Sequence, residues 1–539
     1  MTISFLLNVA LAVQVASADE DWTGFLGGPE RRATVSGAGL MKTWPTNGPA
    51  LVWESRAIGV SVGEVLIVGA NVYAWGVLPE EPPQPQPERD TNKKIDTPPN
   101  DPSAPPKVQP KPKPSRRVLT CLDLATGAVR WQVDTQPHMV STPAYDGGRI
   151  VLQNQSHLFC YDARSGELLW KVDGHAVLKE AGVDVVRLPG TAYACWVLSP
   201  LAFDGMAVLP LGQAKGLAVA LEMATGKPLW IAKGNKPFAG ISWSSPQLIR
   251  MEKRRLILLP TMGNLVGLDA ADGTVLWEEE CYDSSVNSGN YTWACPPAFD
   301  DGHFFIYGGY RSSKFSVKPE YMLRWSTYRL IADGQRIEKV WNKPNISPFQ
   351  ENVIVHGGRL YGTGGQTTWT DFDENPGLLL NGQSYSDLAN AKGEQNMAQW
   401  RQHGDRRGMS EFLKSTGVDQ GHPLVCQDLK TGRIEGRRGL HQGPSCYGDH
   451  GITSAGDRLY VSRSGGQTET DAVYLVEASP SMTVHGSVTF PLKQIIASHG
   501  PKAGWNGNLW TRPIVARGFM LIRIGSVLRA YDLRADERK

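Results

Sequence analysis

A ten-residue signature recurs along the 539-residue chain and constrains its fold more than any other feature. It begins with a hydrophobic residue, an acidic residue and two variable residues. A position occupied by Thr, Ser or Asp follows, then Gly, three variable residues and finally Trp. Clear copies span residues 122–131, 161–170, 221–230 and 268–277. Weaker copies span residues 330–341, 427–432 and 531–533.

Each part of the signature has a physical role in a turn between two strands. The acidic side chain can accept hydrogen bonds from turn amides, and the glycine allows a positive φ. The tryptophan on the next strand can bury its indole between neighbouring units. The pattern therefore assigns structural roles to the turn aspartates Asp123, Asp162, Asp269 and Asp428, and to the docking tryptophans Trp53, Trp131, Trp170, Trp230, Trp277 and Trp341.

Two further short strands precede each signature, which gives four strands in about 40 residues, the period of a β-propeller blade. We predict an all-β, eight-bladed propeller of four-stranded antiparallel blades. The predicted blade cores lie near residues 57–133, 139–173, 193–233, 241–279, 292–342, 350–438, 447–489 and 508–533. The last blade lacks an outermost strand, and residues 49–54 resemble residues 227–232. The N- and C-terminal strands are therefore expected to pair and close the ring.

The N-terminus predicts an exported protein. Residues 5–15 are apolar but too short to span a bilayer, and Ala16-Ser17-Ala18 offers a cleavage site for a signal peptide of residues 1–18. A buried first strand is the alternative. An arm (residues 19–48) and the propeller (49–539) follow, with no other segment of membrane-spanning length.

Two insertions interrupt the repeats. Residues 79–117 form a Pro-rich loop, expected to be a disordered spacer or, alternatively, a motif for a proline-binding partner. Residues 367–421 form an inserted loop, expected to be partly helical near residues 385–391 and 409–414.

Charge and cysteine content exclude several classes of function. Lys and Arg total 55 against 53 Asp and Glu, so no general electrostatic argument favours nucleic acid or an anionic membrane. Three of the seven cysteines, Cys121, Cys160 and Cys426, occupy equivalent positions in the repeat, where a small buried residue fits. No CxxC or CxxCH motif supports structural zinc or covalently attached haem.

The signature resembles the tryptophan-docking repeat of pyrroloquinoline-quinone (PQQ)-like propellers. That family includes quinoprotein alcohol dehydrogenases and a non-enzymatic propeller subunit of the bacterial outer-membrane assembly machinery. Residues 21–29, 40–45 and 49–53 look like the leader of exported propellers of this type, so the resemblance covers residues 21–533.

For a dehydrogenase, the resemblance implies PQQ, a calcium ion held by carboxylate and amide oxygens, an aspartate base, and often a vicinal disulfide and a haem domain. The chain has no Cys-Cys pair, no haem motif and no recognisable cluster of cation ligands. We therefore predict a binding or scaffolding module without catalytic residues, metal or cofactor. The alternative is a PQQ- and calcium-dependent alcohol or sugar dehydrogenase.

The sequence places a candidate ligand site at the channel mouth. Four tryptophans each precede a proline at the start of an innermost strand: Trp196, Trp243, Trp293 and Trp510. His450 is a further candidate because a carboxylate, Asp449, directly precedes it. The tryptophans could form a stacking surface, or alternatively pack between blades, and a lone histidine is commonly structural.

All long insertions are predicted to leave the blades on one face. A partner, either an envelope protein or a small ligand or glycan, is expected there, with the 367–421 insertion partly covering the channel mouth. The protein is expected to be a monomer, periplasmic or attached to the cell envelope.

Overall fold

The repeats form eight four-stranded antiparallel sheets arranged as the blades of a propeller, as predicted. A computed structural model describes residues 20–78, 115–137, 141–185, 198–213, 215–234, 244–261, 264–280, 296–306, 326–342, 352–363, 369–418, 423–440, 451–463, 471–490 and 512–535. In each blade the strands are named A to D in the order in which they pair.

Blades 1–4 follow one another along the chain. Their strands are β3 (Leu66–Val68), β4 (Asn71–Val77), β5 (Arg117–Asp123) and β6 (Val129–Asp134); β7 (Ala144–Asp146), β8 (Arg149–Asn154), β9 (His157–Asp162) and β10 (Leu168–Asp173); β11 (Leu201–Phe203), β12 (Met206–Gln213), β13 (Gly216–Glu222) and β14 (Pro228–Ala232); and β15 (Gln247–Arg250), β16 (Arg255–Pro260), β17 (Asn264–Asp269) and β18 (Val275–Glu280).

Blades 5–8 complete the ring, and blade 8 takes its strand D from the N-terminal region. Their strands are β19 (Ala298–Asp300), β20 (His303–Ile306), β21 (Ser326–Ile331) and β22 (Arg336–Asn342); β23 (Ile354–His356), β24 (Arg359–Thr363), β27 (Leu424–Asp428) and β28 (Ile434–Arg438); β29 (Ile452–Ala455), β30 (Arg458–Arg463), β31 (Asp471–Glu477) and β32 (Val484–Phe490); and β33 (Ile514–Ala516), β34 (Phe519–Ile524), β35 (Val527–Asp532) and β2 (Ala50–Ser55).

The ring closes through antiparallel pairing of β2 with β35. The register joins Leu51 to Tyr531 and Trp53 to Ala530. Neighbouring A strands lie against one another, for example β7 with β11 and β23 with β29, which places strand A at the axis and strand D at the perimeter. The predicted closure of the ring by N- and C-terminal strands is therefore confirmed.

The signature residues connect each blade to the next. The indole Nε1 of Trp170 donates to Met223 O at 3.1 Å, and a Cβ added at Gly226 (φ +74°) would lie 2.8 Å from that indole. The signature therefore needs glycine both for its backbone conformation and for the ring that packs over it. Equivalent Nε1 bonds run from Trp53 to Leu124 O, Trp230 to Ala270 O and Trp341 to Leu429 O, whereas Trp277 donates to Gly334 O, further along the turn of blade 5.

The signature aspartate organises the C–D turn. Asp162 Oδ1 accepts from the backbone N–H of Arg164 at 2.9 Å and of Ser165 at 2.8 Å. The Ser165 N–H bond is the main cause that lowers the pKa of this carboxyl. Asp123 accepts in the same way from its own turn, and its pKa is lowered chiefly by the Arg130 guanidinium.

Blade 7 lacks the repeat tryptophan, and the N-terminal arm supplies a replacement. Gly486 stands at the docking position of β32, and Trp44 packs against it with its backbone N–H donating to His485 O at 3.0 Å. Trp44 is 5% exposed, and its ring centroid lies 5.8 Å from that of Tyr460. Met41 N donates to Leu533 O of blade 8 at 2.8 Å. Leu533 O holds the position in blade 8 that Met223 O holds in blade 3.

The 367–421 insertion extends blade 6 outward. Its hairpin, β25 (Leu379–Leu380) and β26 (Gln383–Ser384), pairs through β25 with β28 in parallel. A short helix, α1 (Gly174–Glu180), follows strand D of blade 2. The helices of the insertion, α2 (Trp369–Glu374), α3 (Tyr385–Lys392), α4 (Glu394–Gln402) and α5 (Gly404–Ser415), include both stretches expected to be helical. The described part of the insertion is thus anchored at the perimeter, because its hairpin adds to strand D, and not at the channel mouth where the sequence placed it.

The insertion has an aromatic core of its own. Phe372 and Tyr385 stack with ring centroids 4.3 Å apart, and Phe412 meets both edge-on. Arg401 joins the cluster to its rim, since it lies 4.9 Å from the Trp369 ring and 2.6 Å from Asp373.

Candidate functional site

The predicted mouth residues Trp196, Trp243, Trp293, Trp510 and His450 lie outside the described residues. The strands A that follow these residues in sequence are described. The connections at the two ends of the strands define two faces of the propeller. Connections B–C and D–A leave the blades on one side, whereas A–B turns, none longer than four residues, leave on the other. The Pro-rich loop joins β4 to β5, a B–C connection, and β5 begins at Arg117, the last residue assigned to that loop.

The axis itself is occupied by the N-terminal arm. Trp22 pairs with Ile67 of blade 1 through two backbone hydrogen bonds of 2.7 and 2.9 Å. Thr23 O accepts from Tyr145 N of blade 2, and Pro29 O accepts from Leu248 N of blade 4, both at 2.8 Å. Strand β1 (Thr34–Val35) then pairs in parallel with β29 of blade 7. The arm therefore crosses the channel and satisfies the inward backbone edges of four strands A.

One arginine anchors the arm below the channel mouth. Arg31 is 4% exposed, and its guanidinium donates to Pro246 O, to Ser199 O at 3.2 Å and to Pro200 O at 3.0 Å, all at the starts of strands A. Nη1 of Arg31 donates a fourth hydrogen bond, of 3.3 Å, to Phe25 O within the arm. Burial lowers the pKa of the Arg31 guanidinium to about 9, while the nearby Glu64 carboxylate opposes that shift. Arg31 is therefore still a cation at neutral pH.

A second buried group of charges lies beside this anchor. Glu64, the one carboxylate among the buried side chains of the described residues, accepts from Trp22 Nε1 at 2.9 Å and from Leu26 N at 3.0 Å. Its other oxygen lies 2.9 Å from Arg512 Nη1. Arg512 also lies 4.8 Å from the centre of the Phe25 ring, whose other neighbour is the Arg31 guanidinium at 5.5 Å.

These groups do not fit a calcium ion at the axis. A calcium site needs six to eight oxygen ligands, usually with several carboxylates. Here the single carboxylate is held by an indole, an amide and a guanidinium, and the carbonyls of Ser199, Pro200 and Pro246 are engaged by Arg31. Across the ranges that the structure describes, no group of three or more His, Cys, Asp or Glu side chains could hold a metal ion.

Other sequence assignments fall on structural positions. Cys121, Cys160 and Cys426 lie on strands C, are buried and carry free thiols. Burial raises the pKa of the Cys160 thiol to about 12, so it is not a nucleophile at neutral pH. Within the described part of the chain, no helix has both the length and the apolar character needed to cross a membrane.

Sequence reasoning missed the axial residues. Arg31, Glu64 and Arg512 belong to no copy of the signature and come from three separate parts of the chain. A weak signal was available: Glu64 and Arg512 each stand two residues before a strand A, a position that carries Thr142, Ser199, Ser245 and Asn352 in blades 2, 3, 4 and 6. Charge at a position expected to be buried indicates a partner elsewhere in the fold.

Comparison with known proteins gives a family model that matches just under half of the chain, and a shared fold. A family model described as outer membrane protein assembly factor BamB matches residues 115–378. No protein with a curated description matches the chain by sequence.

Among solved structures, quinohemoprotein alcohol dehydrogenase from Comamonas testosteroni has a TM-score of 0.53 at 11% identity, covering 97% of this chain and 82% of that one. BamB from Moraxella catarrhalis gives 0.45 at 11%, with coverages of 78% and 90%. A europium-containing methanol dehydrogenase gives 0.47 at 11%, with coverages of 88% and 86%. At these identities the first likeness shows a shared propeller fold and does not decide activity.

Proposed function

We propose that this chain, which belongs to the PQQ-like β-propellers, is an exported binding and scaffolding module of the cell envelope without catalysis of its own. Its partner, an envelope protein or a small ligand such as a glycan, binds on the face of the B–C and D–A connections. The matching family model, described as an outer membrane protein assembly factor, supports a role in protein assembly.

The observation that carries this proposal is the occupied axis. Arg31 engages the carbonyls at the starts of two blades, and Glu64 is neutralised by Arg512. Both groups thus have partners within the chain, which argues against a cofactor bound at the described axis. The elaborated face is then the surface best suited to recognition, since loops there vary without disturbing the stacked blades.

Site-specific cross-linking tests the face. A photoreactive amino acid is introduced either at Lys215, in the B–C turn of blade 3, or at Glu252, in the A–B turn of blade 4; both residues are exposed. Irradiation of intact cells should give a discrete adduct from position 215 and none from position 252. Adducts from position 252 alone, or equal adducts from both, contradict the proposed face.

The alternative dehydrogenase function has a direct test on the purified protein. PQQ and calcium are added, and quinone binding is followed by absorbance and equilibrium dialysis. We expect no stoichiometric binding and no alcohol-dependent dye reduction. Binding at one quinone per chain with dye reduction would replace the scaffold proposal with the enzymatic one. N-terminal sequencing of the periplasmic protein should begin at Asp19 if residues 1–18 are removed on export.

A further inference from the structure

We propose that the axial channel is a peptide-binding site, and that residues 20–36 of the arm are its resident ligand in cis. The site would accept a segment of a partner protein that carries an arginine nine residues after a tryptophan, the spacing of Trp22 and Arg31. This goes beyond the proposed function, which concerns the connection-bearing face and not the axis.

The arm's backbone pairs with strands A as a peptide does at a sheet edge, and its Trp22, Leu26 and Ala33 side chains are buried in the adjoining core. Its contacts with Ile67, Tyr145, Leu248 and β29 use main-chain N–H and C=O groups of strands A. Such contacts recognise an extended chain irrespective of its side chains, and side-chain pockets add the specificity.

Two pockets supply that specificity. The first is the set of carbonyl oxygens around Arg31, which accept several hydrogen bonds and so match the planar fork of a guanidinium and not the single head of a lysine. The second is Glu64, which accepts from Trp22 Nε1. Arg32, the next residue, is exposed, and among the described contacts its side chain meets only the Phe299 ring, at 5.3 Å, so it serves as a matched control.

The arm is also separable from the ring. Ring closure begins at Ala50 and the Trp44 contact lies downstream, so neither requires residues 20–36. Ala38 and Gly39 are exposed, which makes the connection accessible. Leu26, Arg31 and Ala33 adopt positive φ values of 58°, 50° and 50°, conformations that L-residues rarely adopt and that the channel wall holds in place.

Exchange of the arm after cleavage tests the proposal. A protease site is inserted between Ala38 and Gly39, the folded full-length chain is cleaved there, and a fluorescent peptide of residues 20–38 is added. The peptide should replace the cleaved arm at one per chain. A peptide with Arg31→Ala should bind at least about 30-fold more weakly, Arg31→Lys should be intermediate, and Arg32→Ala should match the unaltered peptide.

Three results would overturn it. The first is failure of the cleaved arm to exchange while circular dichroism shows an intact propeller. The second is equal binding of the Arg31→Ala and Arg32→Ala peptides, and the third is unfolding of the ring after cleavage. Hydrogen exchange on the unaltered chain gives an independent measurement. The amides of residues 21–35 should exchange before those of strands B and C; exchange only on global unfolding would make the arm a fixed structural element.

Discussion

Replacing Trp44 by alanine should destabilise the propeller even though this residue belongs to no repeat. Its indole is 5% exposed and fills the docking space left by Gly486, against Tyr460. Burial of an indole removes about 200 Å² from water, worth about 5 kcal/mol at 25 cal/mol per Å² as an upper estimate. Trp44 Nε1 has no hydrogen-bond partner among the described residues, so packing alone is lost there, and we expect a loss of about 3–4 kcal/mol.

Urea unfolding followed by circular dichroism measures this loss. Trp44→Phe should recover about half of it because a smaller ring still fills the space, and Thr43→Ala, at an exposed neighbouring position, should have an effect below about 0.5 kcal/mol. A Trp44→Ala loss below about 1 kcal/mol, or one equal to that of Thr43→Ala, would refute the argument that the arm replaces the missing docking residue.

Three further substitutions test the ring, the axis and the turns. Trp53→Ala should cost about 3–5 kcal/mol, as Trp170→Ala should, and a silent Trp53→Ala in urea unfolding would contradict the closing role of β2. Glu64→Gln should cost about 3 kcal/mol by leaving a buried guanidinium without its ion pair; an unchanged unfolding midpoint would show that the pair is not needed. Because the folded-state pKa of Asp162 is lowered, the stabilisation that its carboxylate provides is complete above about pH 5 and is lost as pH falls through that pKa. Asp162→Asn should therefore flatten the acid side of a plot of melting temperature against pH. An identical plot for the variant would contradict this role of Asp162.

The blades could be predicted from sequence because their signal is local and repeated. A turn aspartate, a glycine and a tryptophan act within ten residues and on the adjacent blade, so each copy reports the same packing. Even the closing strand was predictable, since Trp53 keeps the local pattern although its partner β35 lies at the other end of the chain.

The candidate site was predicted less well. The tryptophans proposed for the channel mouth, such as Trp196, and His450 remain predictions because they lie outside the described residues. The insertion was recognised as partly helical, but its position was wrong, because the pairing of β25 with β28 depends on an edge that no local pattern marks.

The number of blades, their strand order and the closure of the ring could be predicted without a structure, because these follow from short-range signals that recur. What fills the axis, and the docking space at Gly486 in blade 7, became clear only from the folded molecule. Arg31 finds the carbonyls near Ser199 and Pro246, and Trp44 finds the space at Gly486. These contacts join an unrepeated arm to distant blades, and their energy depends on burial and on the pairing of charges that exist only once the ring has formed.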